Sequence, residues 1–405
     1  MKQTDISRRT LIQAMAAAGA STVPALSWAQ SGNGNLNIAL LSQSSGNFAT
    51  AGVTMWRGAS LAVEQRGGRI LGRKINLVKR DDEGKPAVGV RRLTELIETE
   101  KTKYFVGNAS SAVGLAESEV AAREKVVQYA GGGSDEFTGT RCNDYTFQWS
   151  VSPYTACSAT LEYIRKQFPK AKRVYTLTVD YAFGHALLRN TQAVANSFGF
   201  ELVANDNHPL GERQYTQYFN KAIASKPDVI LLLTAGSDFL TAMRQLSSFG
   251  LKDVVVAAPW AAEIDELKEL TPQMRAGLVL GFNYHYSIDS PVNRTFVADH
   301  VKQFKEVPSY FSAYAYDSFR TLFLAMDKAK SIEPGVVAKT LEGLKFDSVH
   351  GATSIDARTH QTVRPYYVAL CKTPSQMKNE TDIADLVFRS STPQPPQLNQ
   401  CKRTV

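Results

Sequence analysis

Short apolar segments alternate with longer segments of helical periodicity along most of the chain. One series runs from Leu36 to about residue 130, and the same rhythm restarts after Pro153 and continues to Phe282. A strand, a helix and a parallel strand in succession form a right-handed unit whose helix covers the sheet. The alternation therefore predicts an α/β chain with two similar lobes, each built like a Rossmann domain around a parallel sheet.

The chain is long enough for two such lobes, and it continues beyond them. Its 405 residues exceed what one hydrophobic core usually serves. Helical periodicity predicts further helices at 292–305, 312–329 and 335–343, and a β-hairpin over 349–371.

Residues 1–29 have the organisation of an export signal. The charged start SRRTLI precedes an apolar run to Leu26, and Ser27-Trp28-Ala29 offers small residues at the −3 and −1 positions of a cleavage site. The paired arginines Arg8 and Arg9 resemble a twin-arginine signal, although the general secretory route remains open. No later segment reaches about 18 consecutive apolar residues, so we expect a soluble mature chain in the periplasm.

The chain has four cysteines, which is an even number that permits disulfides in an exported protein. Three connectivities are possible. We favour Cys371–Cys401, because this bridge would pin the Pro-rich tail between them, with Cys142–Cys157 as its complement. Zinc binding is not expected, since no C-x-x-C motif occurs.

Catalytic and phosphate-binding signatures are absent from the sequence. No G-x-S-x-G, H-E-x-x-H, G-x-x-x-x-G-K-[ST] or G-x-G-x-x-G motif is present. The formal net charge of +8 is not gathered into Lys/Arg runs with interleaved aromatic residues, so nucleic acid is not an expected partner. These absences favour ligand capture over catalysis, with neither a cofactor nor a metal.

The turns that follow the predicted strands carry small and aromatic residues. In open α/β sheets, ligands bind beyond the carboxyl ends of the strands. In the turns GNASS, AGGGS, VDYAFG and APWAAE, the small residues would let a ligand approach the backbone closely, and the aromatic residues would form flat apolar walls. Structural explanations stay open, because Ser110 and Ser111 could serve as an N-cap, Gly131–Gly133 as a flexible turn and Phe183 as a core residue. The turns concerned are 42–48, 107–111, 130–134, 180–184, 234–236 and 259–263.

The order of these motifs resembles the periplasmic leucine/isoleucine/valine-binding family, the type I solute-binding proteins of ATP-driven importers. The resemblance covers Leu36 to about Cys371 and rests on SSGNFATAG, VKRDDEGKP, FVGNASS, VQYAGGGSDEFTG, LTVDYAFG and APW, in that order. It implies a type I periplasmic binding protein fold, with two Rossmann-like lobes joined by three crossovers near 148–153, 284–287 and 343–347. The domains would be an export signal (1–29), lobe 1 (36–150 plus 287–344), lobe 2 (151–286 plus 345–372) and a C-terminal tail (373–405).

The resemblance also implies the residues of the first lobe that hold a ligand. Ser111 matches the serine that binds the ligand carboxylate, and Ser110 is its neighbour. Gly131 matches a backbone contact. Gly133 stands where amino-acid binders carry a hydroxyl, which leaves Ser134 as a possible substitute.

In the second lobe the sequence departs from the amino-acid binders of that family. Phe183 matches an aromatic wall, but Trp260 stands where those proteins place the carboxylate that pairs with the ligand ammonium, and Glu263 is the nearest replacement. Ala51 and Gly236 stand where tyrosines are usual. A buried ammonium left unpaired would be costly.

An aromatic acid without an α-amino group is therefore the expected ligand, held against Tyr181, Phe183 and Trp260, with Tyr284 as a further polar contact.

The resemblance implies a non-enzymatic function. We expect a monomeric periplasmic protein that closes its lobes on a small carboxylate and delivers it to the membrane permease of an ABC importer. Two rivals remain, namely a sensory receptor of the same fold and an exported α/β hydrolase.

Overall fold

The structure is a computed structural model that describes residues 34–251, 253–260 and 264–404. The export signal predicted over residues 1–29 and the candidate Glu263 lie outside the described residues. Among the described residues, no helix is both long and apolar enough to cross a bilayer.

The secondary structure follows the predicted alternation. The strands are β1 (Leu36–Leu41), β2 (Arg69–Ile70), β3 (Arg73–Arg80), β4 (Tyr104–Gly107), β5 (Val127–Ala130), β6 (Thr146–Gln148), β7 (Arg173–Val179), β8 (Glu201–His208), β9 (Val229–Leu233), β10 (Val255–Ala258), β11 (Val279–Phe282), β12 (Lys345–Ser348), β13 (Gly351–Ile355), β14 (Thr362–Val363), β15 (Tyr366–Cys371) and β16 (Ala384–Ser390). The helices are α1 (Ala49–Gln65), α2 (Pro86–Thr99), α3 (Ser111–Glu124), α4 (Pro153–Gln167), α5 (Ala182–Ala195), α6 (Thr216–Ala224), α7 (Ser237–Leu246), α8 (Ile264–Lys268), α9 (Pro272–Arg275), α10 (Pro291–Phe304), α11 (Tyr310–Ala329) and α12 (Pro334–Leu341).

The first lobe is a six-stranded sheet in the order β2-β3-β1-β4-β5-β6. Every pair in it is parallel except the short β2–β3 pair. The central strands are almost continuously apolar because helices cover both faces. Helices α1 and α11 pack unusually closely, since a Cβ at Gly58 would lie 1.9 Å from the carbonyl oxygen of Ser312.

The second lobe is a seven-stranded sheet in the order β16-β15-β11-β10-β9-β7-β8. Its two C-terminal strands are antiparallel to their neighbours. The segment that the sequence assigns to a tail, 373–405, therefore supplies the edge strand β16. On this strand the exposed side chains of Asp385, Val387 and Arg389 alternate with more buried ones, as expected for an edge strand with one face turned to the protein.

Before the C-terminal tail, the chain crosses between the lobes three times. The first two crossings, after β6 and after β11, fall in the predicted intervals. The third lies at 364–365 rather than near 343–347, because a separate sheet in the order β12-β13-β14 comes first. Apolar side chains in and next to this small sheet are buried in the core of the first lobe, namely Leu344 just before β12, Val349 between β12 and β13, and Ile355 at the end of β13. Within the predicted hairpin, only β13 and β14 pair with each other, whereas β15 joins the second sheet.

The disulfide pairing predicted from the sequence is wrong. The bridge joins Cys142 to Cys401, whose Cα atoms lie 5.6 Å apart. Cys157 and Cys371 are free thiols. Both are buried within the second lobe, Cys157 on α4 and Cys371 at the end of β15, where Cys371 packs in a core cluster without Cys401. The tail returns from β16 to the first lobe, and this path brings Cys401 to Cys142.

Candidate ligand-binding cleft

A cleft with a cavity volume of about 50 Å³ lies between the two lobes at the carboxyl ends of their strands. Half of the residues that line it are aromatic. The lining residues are Phe48, Ala109, Gly131, Gly133, Tyr310 and Phe311 from the first lobe, and Tyr181, Phe183, Ala235, Gly236, Trp260, Glu266, Phe282 and Asn283 from the second lobe and its outgoing crossover.

The predicted aromatic wall forms at the second-lobe side. The rings of Phe183 and Trp260 meet edge to face with centroids 5.6 Å apart, and Tyr181 lies 6.1 Å from Phe183. Gly133 of the first lobe faces this pair. A Cβ at Gly133 would lie 2.7 Å from Cε2 of Phe183 and 2.9 Å from Cζ2 of Trp260. The absence of a side chain at position 133 thus lets the two rings approach the backbone of the opposite lobe.

Gly131 also lies in the cleft, next to an aromatic side chain of α11. The Tyr310 hydroxyl donates a hydrogen bond to the carbonyl oxygen of Gly131 at 3.0 Å. A Cβ at this position would lie 2.6 Å from Cε1 of Tyr314. The strand-end turn is therefore held against the first residues of α11, which explains why Tyr310 and Phe311 reach the cleft.

The three candidate serines lie beside the cleft but do not line it. Ser110 is the N-cap residue of α3, and its side chain makes no capping hydrogen bond. Ser111 is fully buried, and its Oγ accepts a hydrogen bond from the backbone N–H of Ser134 at 3.1 Å. The Ser111 hydroxyl therefore ties the start of α3 to the glycine-rich turn, and it retains one hydrogen to donate.

A Ser111→Ala variant should lose stability even without ligand. The substitution leaves the buried N–H of Ser134 without an acceptor, which costs about 1–3 kcal/mol. Chemical denaturation of the ligand-free protein measures this loss. Ser118→Ala on the same helix is the control, because its Oγ only donates to the carbonyl oxygen of Leu115 and no buried donor loses its partner. Equal stability of the natural chain and Ser111→Ala would show that the hydrogen bond between Ser134 N–H and Ser111 Oγ does not contribute to stability.

Two buried acids lie beneath the turn that begins α3. Asn108, at φ +79°, donates from Nδ2 to Oδ2 of Asp82 at 3.3 Å. Burial raises the pKa of Asp82 to about 6, and it raises the pKa of Glu117 well above its usual value. The neutral form of Glu117 is therefore favoured, whereas Asp82 is largely ionised at neutral pH.

Tyr284 is a core residue and not a wall of the cleft. It is buried among the apolar residues of the first lobe, and its hydroxyl donates to Oδ1 of Asn293 at 2.8 Å. The polar lining residues are instead Glu266 on α8 and Asn283 just after β11. Phe48, Ala235 and Gly236 lie on strand-end turns identified in the sequence, whereas nothing in the sequence pattern singled out Glu266, Phe282, Asn283, Tyr310 or Phe311.

Contacts between the lobes flank the cleft on two sides. On one side, Asn47 Nδ2 donates to Asp238 Oδ1 at 3.2 Å, and the Ser237 hydroxyl donates to Asn47 Oδ1 at 2.6 Å. Burial raises the pKa of Asp238 to about 6. On the other side, Asp135 accepts hydrogen bonds from Arg189 at 2.5 Å and from Asn190 at 2.8 Å. The lobes thus contact each other around the site through hydrogen bonds, and on the second side also through the Arg189–Asp135 ion pair.

Comparison with known proteins gives a family match and full-length structural neighbours. Residues 35–376 match the model of the family described as "Periplasmic binding protein". The "Leu/Ile/Val-binding protein homolog 4" of Brucella abortus is 23% identical over 399 residues, which cover 93% of this chain and 91% of that protein.

Two solved structures share the whole architecture. An amino acid ABC transporter substrate-binding protein from Pseudomonas fluorescens Pf-5 has a TM-score of 0.87 and 33% identity, covering 91% of this chain and 98% of that one. A solute-binding protein of an ABC transporter from Rhodopseudomonas palustris BisB5, in complex with 3,4-dihydroxy benzoic acid, has a TM-score of 0.81 and 22% identity, covering 90% and 99%.

Proposed function

The chain belongs to the periplasmic binding protein family, of the branched-chain amino-acid type, and from this premise we propose that it captures a small aromatic carboxylate. Proteins of this family are the substrate-binding components of ABC transporters and not enzymes. The proposal concerns which solute the cleft takes.

The aromatic lining carries the proposal. Half of the lining residues are aromatic, and the family resemblance implies that Trp260 replaces the carboxylate of the amino-acid binders. A planar ring between such walls gains about 0.5–1.5 kcal/mol beyond its burial. The free N–H groups in the first turn of α3 suit the carboxylate of the ligand. The neighbour from Rhodopseudomonas palustris holds an aromatic acid, and this fold therefore accommodates such a ligand.

An amino acid is the second candidate, and Glu266 is the observation that favours it. Its side chain lines the cleft from α8, so it could pair with a ligand ammonium although Trp260 cannot. Several relatives are named as Leu/Ile/Val-binding or amino-acid-binding proteins. The two candidates differ in what Glu266 does: it pairs with the ammonium of an amino acid, but it has no role for an acid that lacks one.

A ligand panel with a Glu266→Gln variant separates the candidates. We expect benzoate-type acids to raise the melting temperature, since ligand at 100 times its Kd adds about 2.7 kcal/mol of stability. Glu266→Gln should bind the acid at least as tightly as the natural chain, because a nearby negative charge is removed. If leucine-like ligands alone stabilise the protein, and Glu266→Gln weakens them by several kcal/mol, the aromatic-acid proposal is wrong.

The control for this panel is Glu269→Gln, which removes the same charge just beyond α8. Glu269 is exposed and pairs with Arg244 on the surface, with its Oε2 3.6 Å from the nearest guanidinium nitrogen. This substitution should change neither the ligand preference nor the affinity by more than a few tenths of a kcal/mol.

The remaining parts of the proposal concern the partner and location. We propose that the mature chain is a monomer in the periplasm, and that its ligand-bound form docks on the permease of the importer. Uptake of the identified ligand by cells that carry the gene, and its loss on deletion, tests this role. Normal uptake after deletion, together with a lost response to the ligand, would instead support a sensory receptor.

A further inference from the structure

The orientation of the Asn283 side chain is fixed at the second crossover between the lobes. Its Oδ1 accepts a hydrogen bond from the backbone N–H of Val151 at 3.2 Å and another from Nη2 of Arg364 at 3.3 Å. A backbone N–H can only donate, so the oxygen and nitrogen of this amide cannot be exchanged. All three crossovers contribute to this arrangement, since Val151, Asn283 and Arg364 belong to the first, second and third.

The other end of the same amide has no hydrogen-bond acceptor in the part of the chain that the structure describes. Asn283 lines the cleft and is 3% exposed, and its Nδ2 has no hydrogen-bond partner among the described residues. Buried amide donors are nearly always paired, because leaving one unpaired is costly. The Asn283 amide therefore offers a donor of fixed orientation at the cleft that none of the described residues uses.

A positive charge lies directly behind this donor. Arg364 is buried, its guanidinium lies over the ring of Trp149 at 4.4 Å, and none of its nitrogens forms an ion pair with a carboxylate in the part of the chain that the structure describes. Burial lowers its pKa, but only to about 10, so it stays charged at neutral pH. Because the Arg364 side chain holds Oδ1 of Asn283, its positive potential reinforces the donor character of Nδ2.

We propose that Asn283 Nδ2 donates a hydrogen bond to the ligand carboxylate, and that Arg364 supplies the charge that favours an anion at this point of the cleft. This inference rests on the proposed function, since it assumes a carboxylate ligand. It adds a specificity-determining residue at the crossovers to the contacts expected from the strand-end turns.

An Asn283→Asp variant tests the donor. The substitution keeps an oxygen for Val151 and Arg364, and it replaces Nδ2 with a second oxygen that cannot donate to a carboxylate. We expect the melting temperature of the ligand-free protein to be unchanged or higher, because the new carboxylate would pair with Arg364. The affinity for the aromatic acid, measured by titration calorimetry, should fall at least about tenfold, as expected for the loss of a hydrogen bond to a charged group.

The matched control is Asn205→Asp on the edge strand β8, where the same substitution adds the same charge. Its Oδ1 accepts from the hydroxyls of Thr176 and Thr178, and the carboxylate can keep both bonds. Affinity should stay within about twofold.

Binding by Asn283→Asp within about threefold of the natural chain would overturn the inference. That result would mean either that the amide has only a structural role or that it faces a ligand hydroxyl, which can donate to an aspartate. Failure of the proposed function looks different, since the natural chain itself would then bind no aromatic acid in the same calorimeter.

Discussion

A Gly133→Ala variant should bind the ligand about 10 to 100 times more weakly than the natural chain. The added methyl group would lie 2.7 Å from Cε2 of Phe183 and 2.9 Å from Cζ2 of Trp260, well inside contact distance. Overpacking of this kind costs about 1–3 kcal/mol, and 1.4 kcal/mol corresponds to a tenfold change in affinity. Because Gly133 and the two rings belong to different lobes, the cost arises only when the lobes meet across the cleft. Titration calorimetry measures the loss.

Two further variants decide whether the clash between lobes is the cause. Gly335→Ala is the control, since a Cβ there would meet only the Tyr145 hydroxyl at 3.7 Å. It should leave ligand binding unchanged. Adding Phe183→Leu to Gly133→Ala should recover part of the affinity, because the smaller side chain makes room for the methyl group. If Gly133→Ala binds like the natural chain, the rings do not close on this glycine in the ligand-bound form.

The alternation of strands and helices made the two lobes predictable from the sequence. Apolar runs such as Leu36–Leu41 and Val229–Leu233 are buried on both faces, so each is recognisable without knowledge of its neighbours. Helix ends were less predictable. The α4 helix begins at Pro153 because Ser152 accepts a hydrogen bond from the N–H of Thr155, and such a cap depends on side-chain geometry that periodicity does not contain.

The C-terminal region was not predictable in the same way. The seven residues of β16 alternate between exposed and more buried side chains, but so short a pattern does not reveal the partner of the strand, and the pairing with β15 is visible only in the structure. The third crossover was misplaced for a related reason. The strands Lys345–Ser348 and Gly351–Ile355 pair with each other and pack against the first lobe. Which lobe they pack against depends on the tertiary structure and not on their own sequence.

The residues of the candidate site that lie on turns after strands could be predicted from the sequence. Gly131, Gly133, Phe183 and Trp260 all lie on such turns, and all line the cleft. Tyr310 lines it from a helix start that follows no strand of the sheet. Asn283 and Tyr284 are adjacent in sequence, but only Asn283 lines the cleft, whereas the side chain of Tyr284 is buried in the core of the first lobe. Which of two successive side chains reaches the cleft just after a strand could not be predicted from the sequence.

Removal of the disulfide should produce the largest loss of stability. In a Cys142→Ser/Cys401→Ser variant, the free energy of unfolding should fall by about 2–5 kcal/mol, since a bridge between residues 259 positions apart strongly restricts the unfolded chain. The bridge also fastens the last residues of the chain. Arg403, two residues beyond it, has its Nε 2.7 Å from Oδ1 of Asp144 and its Nη2 2.7 Å from Oε1 of Glu342. Chemical denaturation with and without a reductant measures the effect.

The path of the tail explains why this disulfide joins segments that are far apart in the sequence. Strand β16 lies in the second-lobe sheet and Cys142 lies in the first lobe, so the segment 391–401 forms a fourth connection between the lobes, and the disulfide closes it. Cys371→Ala is the decisive comparison. It leaves the Cys142–Cys401 bridge intact, so the reductant should destabilise this variant as much as the natural chain. If Cys371→Ala alone abolished the sensitivity to reductant, the bridge would join Cys371 instead, and the tail would be tied to the second lobe only.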